Sequence, residues 1–378
     1  MIRSEILGSP LAADEMIASP TIMRNEVADL PLVSVITPAY NAAPFIGEAL
    51  QSALAQTYLN IEVIVVDDGS EDETRRIAEE FTRTDSRVSV LHQPNRGVAS
   101  ARNLAIEHSK GEFIAPLDAD DIWYPEKLEK QMRHAISRDP TVGLVYGWYR
   151  QIDAEGAVVG NGGRWLAEGH VYNALVLRNF IGGGSMPLMT RACLDKVGGY
   201  STELREHGGE GCEDWDLYLR IGEKYNFRVV PEYLAGYRRH SANMSLDRTS
   251  MARSQKMVIH GIEKRGTAVP SNVLRWARAR QCLFELQTVY RRGDYGLALA
   301  LARESFGLDP AGLLAFLYGK AQARIYEFPE TVHDTPGLHA ILLKPYEFLS
   351  LKRFHRLASN HDAPAQRSPI GGMDRKDS

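Results

Sequence analysis

Cysteine is scarce in this chain, and the three present, Cys193, Cys212 and Cys282, are widely spaced. An odd, scattered set forms neither a metal-ligand pattern nor a disulfide framework, which points to a reducing compartment. No stretch approaches the roughly eighteen uninterrupted apolar residues that a membrane span needs. The start of the chain has no sustained apolar core either: Glu5, Asp14, Glu15, Glu26 and Asp29 break every apolar stretch, so residues 1–30 do not read as a secretion signal. An excess of positive charge is also missing. A net charge of −4 gives no electrostatic case for nucleic acid, whose binders carry a basic patch or stripe. Finally, no G-x-G-x-x-G follows the first apolar run, which removes the dinucleotide-dependent oxidoreductases. These absences leave a globular protein of ordinary composition, 44% apolar and 24% charged. It is expected in the cytoplasm, with contact at the inner face of the cell membrane left open.

What is present centres on residues 111–128, GEFIAPLDADDIWYPEKL. A short apolar run, Phe113 to Leu117, reads as a buried strand and stops at three carboxylates, Asp118, Asp120 and Asp121. Pro125 suits the first turn of a following helix. The carboxylates therefore sit between a strand's C-terminal edge and a helix, where open α/β sheets bind ligands. Acids this close repel one another, and a divalent cation relieves the repulsion. Magnesium and manganese take oxygen ligands, usually one or two carboxylates together with substrate phosphates. Taken alone, Asp-x-Asp is a weak signal, and a solvated acidic turn capping the next helix is the better reading of it.

The flanking sequence alternates strands and helices. Strands are expected at Val33–Pro38, Ile61–Val66, Val88–Leu91, Phe113–Leu117 and Gly143–Tyr149. Helices are expected over 44–56, from a Ser70/Glu73 capping box to about Thr84, over Val98–His108 and over Pro125–Ser137. This alternation means βαβ units and a mostly parallel sheet with flanking helices. It places Asp67 and Asp68 on the same sheet edge as Asp118 and Asp120. Residues 150–240 are less regular. Asn161-Gly162-Gly163, Gly182-Gly183-Gly184 and the glycines around 208–211 read as loops, the last delivering Glu213-Asp214-Trp215-Asp216 at the start of a helix. Acids there complement the helix dipole whatever else they do. From about residue 250 only helices are expected. Arg280–Pro310 has the look of a single tetratricopeptide-like pair, too little to bury a core alone and so packed on the first domain. Leu313–Tyr318 is either core contact or a membrane-surface stripe. The expected division is an extended or disordered segment 1–30, an α/β domain 31–248, a helical region 249–360 and a disordered tail 361–378.

Taken in order, VSVITPAYN (33–41), QTY (56–58), IEVIVVDDGSEDET (61–74), NRGVASARNLAI (95–106), GEFIAPLDADDIWYPEKL (111–128), VGGY (197–200), EDWDLYLR (213–220) and YRRHSANMS (237–245) resemble family 2 inverting glycosyltransferases of the GT-A fold. The resemblance covers about 33–245 and says nothing of the rest. It implies attack by an acceptor hydroxyl on the anomeric carbon of a nucleotide diphosphate sugar, with a Mg²⁺ or Mn²⁺ cofactor. Pro38, Ala39 and Tyr40 would face the base. Asp68 would accept from a base N–H and Asp118 would bind the ribose, with Arg96 or Arg102 near the base or diphosphate. Asp120 would hold the metal, with Asp121 the alternative and His240 a second ligand or diphosphate contact. Asp214 would be the general base, Glu213 would raise its pKa by like-charge repulsion, and Trp215 would be acceptor platform or core. The acceptor would be a glycan, a lipid-linked group or a small molecule, and polysaccharide or other glycan synthesis the setting. Two rivals remain. A sugar-phosphate nucleotidyltransferase wants a basic, glycine-rich loop after strand one, where this chain has Thr37-Pro38-Ala39-Tyr40-Asn41. A non-catalytic nucleotide-sugar-binding scaffold would use the helical region to recruit partners.

Overall fold

The computed structural model describes residues 30–135 and 139–326, together with Arg353 and Leu357. The readings of residues 1–29, of the end of the Pro125–Ser137 helix and of the tail 361–378 lie outside the described residues. The chain begins with β1 (Val33–Ala39), all seven residues of which are buried, the continuous pattern of a strand covered on both faces. Then come α1 (Ile46–Leu54), β2 (Ile61–Asp67), α2 (Thr74–Thr84), β3 (Val88–His92), α3 (Val98–His108) and β4 (Phe113–Pro116). β2 and β4 flank β1, both parallel to it, and β3 lies parallel outside β2. This is the expected parallel sheet, and it brings the turns after β1, β2 and β4 to one edge.

The other half of the sheet is mixed. It comprises β5 (Ile122–Trp123), β6 (Val142–Ile152), β7 (Val158–Asn161), β8 (Leu188–Thr190) and β9 (Asn226–Arg238). The order is β3-β2-β1-β4-β8-β6-β9-β5, with β7 on β6. β8 runs antiparallel to both β4 and β6, while β6 and β9 form a long, bulged parallel pair. Helices α4 (Lys127–Ala135), α5 (Tyr172–Leu177), α6 (Arg191–Val197), α7 (Glu203–Glu206) and α8 (Glu213–Gly222) complete this half. α6 ends at Gly198, whose φ of +83° few other residues adopt.

Two local expectations fail. The Ser70/Glu73 capping box does not form, and α2 starts at Thr74. Asp72 takes the first N–H instead, accepting from Thr74 at 3.0 Å and from Ala43 at 3.1 Å, while the Ser70 hydroxyl accepts from the Asn41 amide at 3.0 Å. The turn is therefore tied to the end of β1 rather than to its own helix. Asn161, read as part of a loop, instead closes β7, which pairs antiparallel with β6. The hairpin is made by Asp153, whose carboxylate accepts from Ala157 N–H at 2.8 Å.

Beyond the sheet come α9 (Arg248–Arg265), α10 (Ser271–Arg291), α11 (Tyr295–Leu308) and α12 (Pro310–Tyr326). Asp247 caps α9 and Asp294 caps α11. α10 and α11 form the expected helix pair, with its turn at Arg292-Gly293-Asp294. Val258, Ile259 and Ile262 of α9 and Val273 and Ala277 of α10 belong to the same hydrophobic core as the sheet, so burial joins the helical region to the first domain. Leu313 and Phe316 of α12 pack on Leu283 in a separate small cluster, and Leu314, Leu317 and Tyr318 are exposed. Among the described residues no helix is long and apolar enough to cross a membrane, and Cys193, Cys212 and Cys282 are free and buried.

Candidate active site

A cavity of about 1070 Å³ opens at the sheet edge where β1, β2 and β4 end. Of the residues singled out in the sequence, all but Arg96 and Asp121 line it. Pro38, Ala39 and Tyr40 form one wall, with Tyr40 48% exposed and free to meet a flat ring. Asp68 sits beside them with its carboxylate largely engaged. It accepts from Gln93 Nε2 at 2.7 Å, Arg96 N–H at 2.8 Å and Gly97 N–H at 2.7 Å. A carboxylate offers about four acceptor sites, so roughly one remains for a ligand. Arg96 contributes its backbone to this loop while its side chain points to solvent.

The three carboxylates after β4 diverge. Asp121 is fully buried, accepting from the Ser185 hydroxyl at 2.6 Å and the Arg238 N–H at 2.9 Å. It staples the turn to β9 and does not reach the cavity, which corrects its reading as an alternative metal ligand. Asp118 binds Arg102 Nη2 at 2.6 Å. Asp120 faces His240, with Oδ2 and Nε2 3.0 Å apart. Burial first, and Asp118 second, raise the Asp120 pKa, against the lowering hydrogen bond from His240. Asp118 and Asp120 thus form a pair of adjacent acids on the cavity wall, the arrangement that a divalent cation relieves.

The donor set fits such a cation. Asp120 and His240, 3.0 Å apart, are the side chains that would hold it. Among the described residues no group of three or more His, Cys, Asp or Glu is arranged to hold a metal, so a cation here would rely on a substrate diphosphate and water for its remaining ligands. His240 Nδ1 lies 3.3 Å from the Ala242 N–H. That contact favours the proton on Nε2, donated to Asp120, and must open before Nε2 can ligate.

Arg102 is the electrostatic centre of the opposite wall. Its guanidinium is buried and bridges Asp118 to Glu213, the latter at 3.0 Å, with the Tyr200 ring 5.0 Å away. A buried fork between two carboxylates positions them, so Arg102, expected near the base or diphosphate, lines the cavity with its guanidinium engaged by Asp118 and Glu213. Gly184 makes room for it, because a Cβ there would collide with the Arg102 guanidinium and Asp118.

Asp214 lies in the first turn of α8 but does not cap it. Its Oδ1 accepts from the adjacent Trp215 N–H at 2.6 Å, its Oδ2 from Asn179 at 3.3 Å, and the helix has no side-chain cap bond. Burial raises its pKa to about 7. Glu213 adds to the rise as the second cause, and Arg102 opposes both. The expected like-charge repulsion from Glu213 is therefore present, with desolvation the larger effect. Trp215 is mostly core: it is 8% exposed and donates its indole N–H to Leu175 O at 2.8 Å.

Several lining residues carried no sequence signal. Asn179 was hidden in an irregular stretch. Arg205 pairs with Glu210 at 3.4 Å and donates to Asn95 at 2.6 Å, closing the rim from the short α7. Met251, Gln255 and Ile259 of α9 and Ala277, Arg280 and Gln281 of α10 form a wall contributed by the helical region. Both sets recur at helical spacing, which in sequence does not distinguish a cavity-lining face from any other helix face.

Comparison with known proteins gives a consistent picture. Residues 34–186 match the family model described as "Glycosyl transferase family 2". The chain is 28% identical over 232 residues to a hyaluronan synthase of Pasteurella multocida, covering 61% of this chain and 23% of that protein. An uncharacterized glycosyltransferase of Rickettsia felis is 43% identical over 211 residues, covering 53% of this chain and 32% of that one. The chain thus spans about a third or less of the length of these relatives. In fold it is similar to the mannosyltransferase PcManGT from Pyrobaculum calidifontis, solved with GDP-Man and Mn²⁺. That likeness has a TM-score of 0.54 and 22% identity, covering 88% of this chain and 87% of that one.

Proposed function

Because the chain belongs, through residues 34–186, to glycosyl transferase family 2, we propose that it transfers a sugar from a nucleotide diphosphate donor to an acceptor hydroxyl in one inverting displacement. The observation that carries this reading is Asp214, a buried carboxylate with a pKa of about 7 on the same cavity as the Asp118–Asp120 edge. A general base works best when its pKa lies near the working pH. Tyr40 stacks on the base, and Asp68 and Asp118 receive the base N–H and the ribose hydroxyls. Asp120 and His240 hold the divalent cation, which when bound neutralises charge on the departing diphosphate. The Mn²⁺ in the PcManGT complex supports this. The acceptor oxygen bonds to the anomeric carbon as the bond to the diphosphate oxygen breaks, and the acceptor proton passes to Asp214. The names of the Pasteurella relatives, hyaluronan and chondroitin synthase, support a glycan product.

A thermal-shift screen of nucleoside diphosphates and their sugars identifies the donor, since a bound ligand stabilises by mass action. Release of nucleoside diphosphate from that donor, with and without EDTA, then tests turnover; a chain that binds donor yet never turns over is the scaffold. Calorimetric titration with the same nucleotide is expected to show tighter binding with Mn²⁺. Asp120→Ala is expected to remove that gain, by at least roughly the 10–100-fold that follows loss of a ligand's supporting partner. Equal affinity with and without metal contradicts the assignment of Asp120.

A further inference from the structure

We propose that the wall supplied by the helical region is an acceptor subsite for an anionic saccharide, with Arg280 reading its carboxylate or phosphate and Gln255 its hydroxyls. This rests on the transferase reading and names the acceptor class. On α9, Met251, Gln255 and Ile259 recur every four residues and present one face to the cavity; on α10, Ala277, Arg280 and Gln281 do the same. Their apolar members make a floor of the kind found in ligand pockets, where a few placed polar groups fix orientation.

Two of those polar groups have nothing to do within the protein. Among the described residues Arg280 and Gln255 make no hydrogen bond or ion pair, although both are half-buried and line the cavity. Acids lining the same cavity or lying close to Arg280 in sequence are committed elsewhere. Glu213 is held by Arg102 and Glu210 by Arg205, while Gln281 donates to Glu285 at 2.8 Å. A half-buried guanidinium with no protein partner is available to a ligand, and its planar fork matches a carboxylate or phosphate.

The position suits the acceptor rather than the donor. α10 packs against α5, and α5 leads directly into Asn179, the hydrogen-bond partner of Asp214. Trp215, beside Asp214, bonds to the backbone of the same helix. α9 clamps the loop that delivers Asp214, through Ser254 Oγ donating to Glu210 O at 3.0 Å and Arg253 to Gly208 O at 2.7 Å. The donor residues Tyr40, Asp68 and Asp120 belong instead to the turns after β1, β2 and β4. The helical wall thus stands at the base, where the attacking hydroxyl must lie.

Saturation-transfer NMR on the full chain tests this. UDP or GDP, whichever binds, is kept saturating with Mg²⁺, and glucuronic acid, glucose 6-phosphate and glucose are the probes. At least one anionic probe is expected to bind about tenfold or more tighter than glucose, and comparing the two separates carboxylate from phosphate recognition. Arg280→Gln is expected to erase that preference, and Gln255→Ala to weaken all sugars alike. Equal binding of charged and neutral probes, or a preference that survives Arg280→Gln, overturns the proposal. If neither UDP nor GDP binds, the donor assignment fails first, which is a distinct result. Should Arg280→Gln fail to fold, Arg280→Lys is read instead: a point charge keeps attraction but loses the fork, so the preference shrinks.

Discussion

Asp214→Asn is expected to leave the protein folded and able to bind donor while transfer falls by about two to four orders of magnitude, the usual share of a positioned general base. Asparagine keeps the size of the side chain and can still accept from the Trp215 N–H, but it cannot take a proton. In the wild type, transfer is expected to rise with pH through about 7 as Asp214 ionises; the residual rate of the variant is expected to lack that step. Stability moves the other way. The folded pKa of Asp214 lies above its unfolded value, so its contribution is fully present below pH 4 and is lost as pH rises through 7. Holding the charged form in this buried site costs on the order of 2–4 kcal/mol at pH 8. Asp214→Asn is therefore expected to match the wild type in urea denaturation near pH 4 and exceed it at pH 8. If Asp214 merely served the helix start, asparagine would replace it with little change in transfer.

Arg102→Leu is expected to do the most structural damage of any single substitution in the site. It strips the partner from Glu213 and from Asp118 at once. Breaking a buried ion pair costs about 3–5 kcal/mol, because the uncompensated charge stays behind. The site's chemistry shifts as well. Arg102 holds the Asp214 pKa down, so its loss is expected to move the pH–rate midpoint above 7. Arg102→Lys keeps the charge but not the two-pronged fork, and is expected to fall between the two for both stability and midpoint. A midpoint that stays at 7 in Arg102→Leu, measured on protein shown to be folded by circular dichroism, would remove Arg102 from the electrostatics of the base.

How much of this was legible in the sequence depended on how local the cause was. Continuous apolar runs gave β1, β2 and β4 almost to the residue, because a strand buried on both faces has little freedom in composition. The shared edge of the three turns followed from their parallel order. The two-residue β5 was not legible, because only its partner β9 makes it a strand. The capping box at Ser70 failed for the same kind of reason, since the Asn41 amide, 29 residues upstream in the turn after β1, donates to that hydroxyl. Three aspartates in one turn looked alike in sequence, yet contacts with Ser185 and Arg238 bury one of them. Arg102 and Arg96 were interchangeable on paper for the same reason. The helical wall was the largest omission: its residues have the spacing of any buried helix face, and that they border a cavity is a tertiary fact.

The central claim is a single displacement with Asp214 as base, and the anomeric configuration of the product tests it most directly. Proton NMR of the transferred sugar, taken soon after mixing enzyme, donor, acceptor and Mg²⁺, reads that configuration from the coupling of the anomeric hydrogen. The expected product has the configuration opposite to the donor's. A product that keeps the donor's configuration would require a different mechanism and would contradict the role given to Asp214.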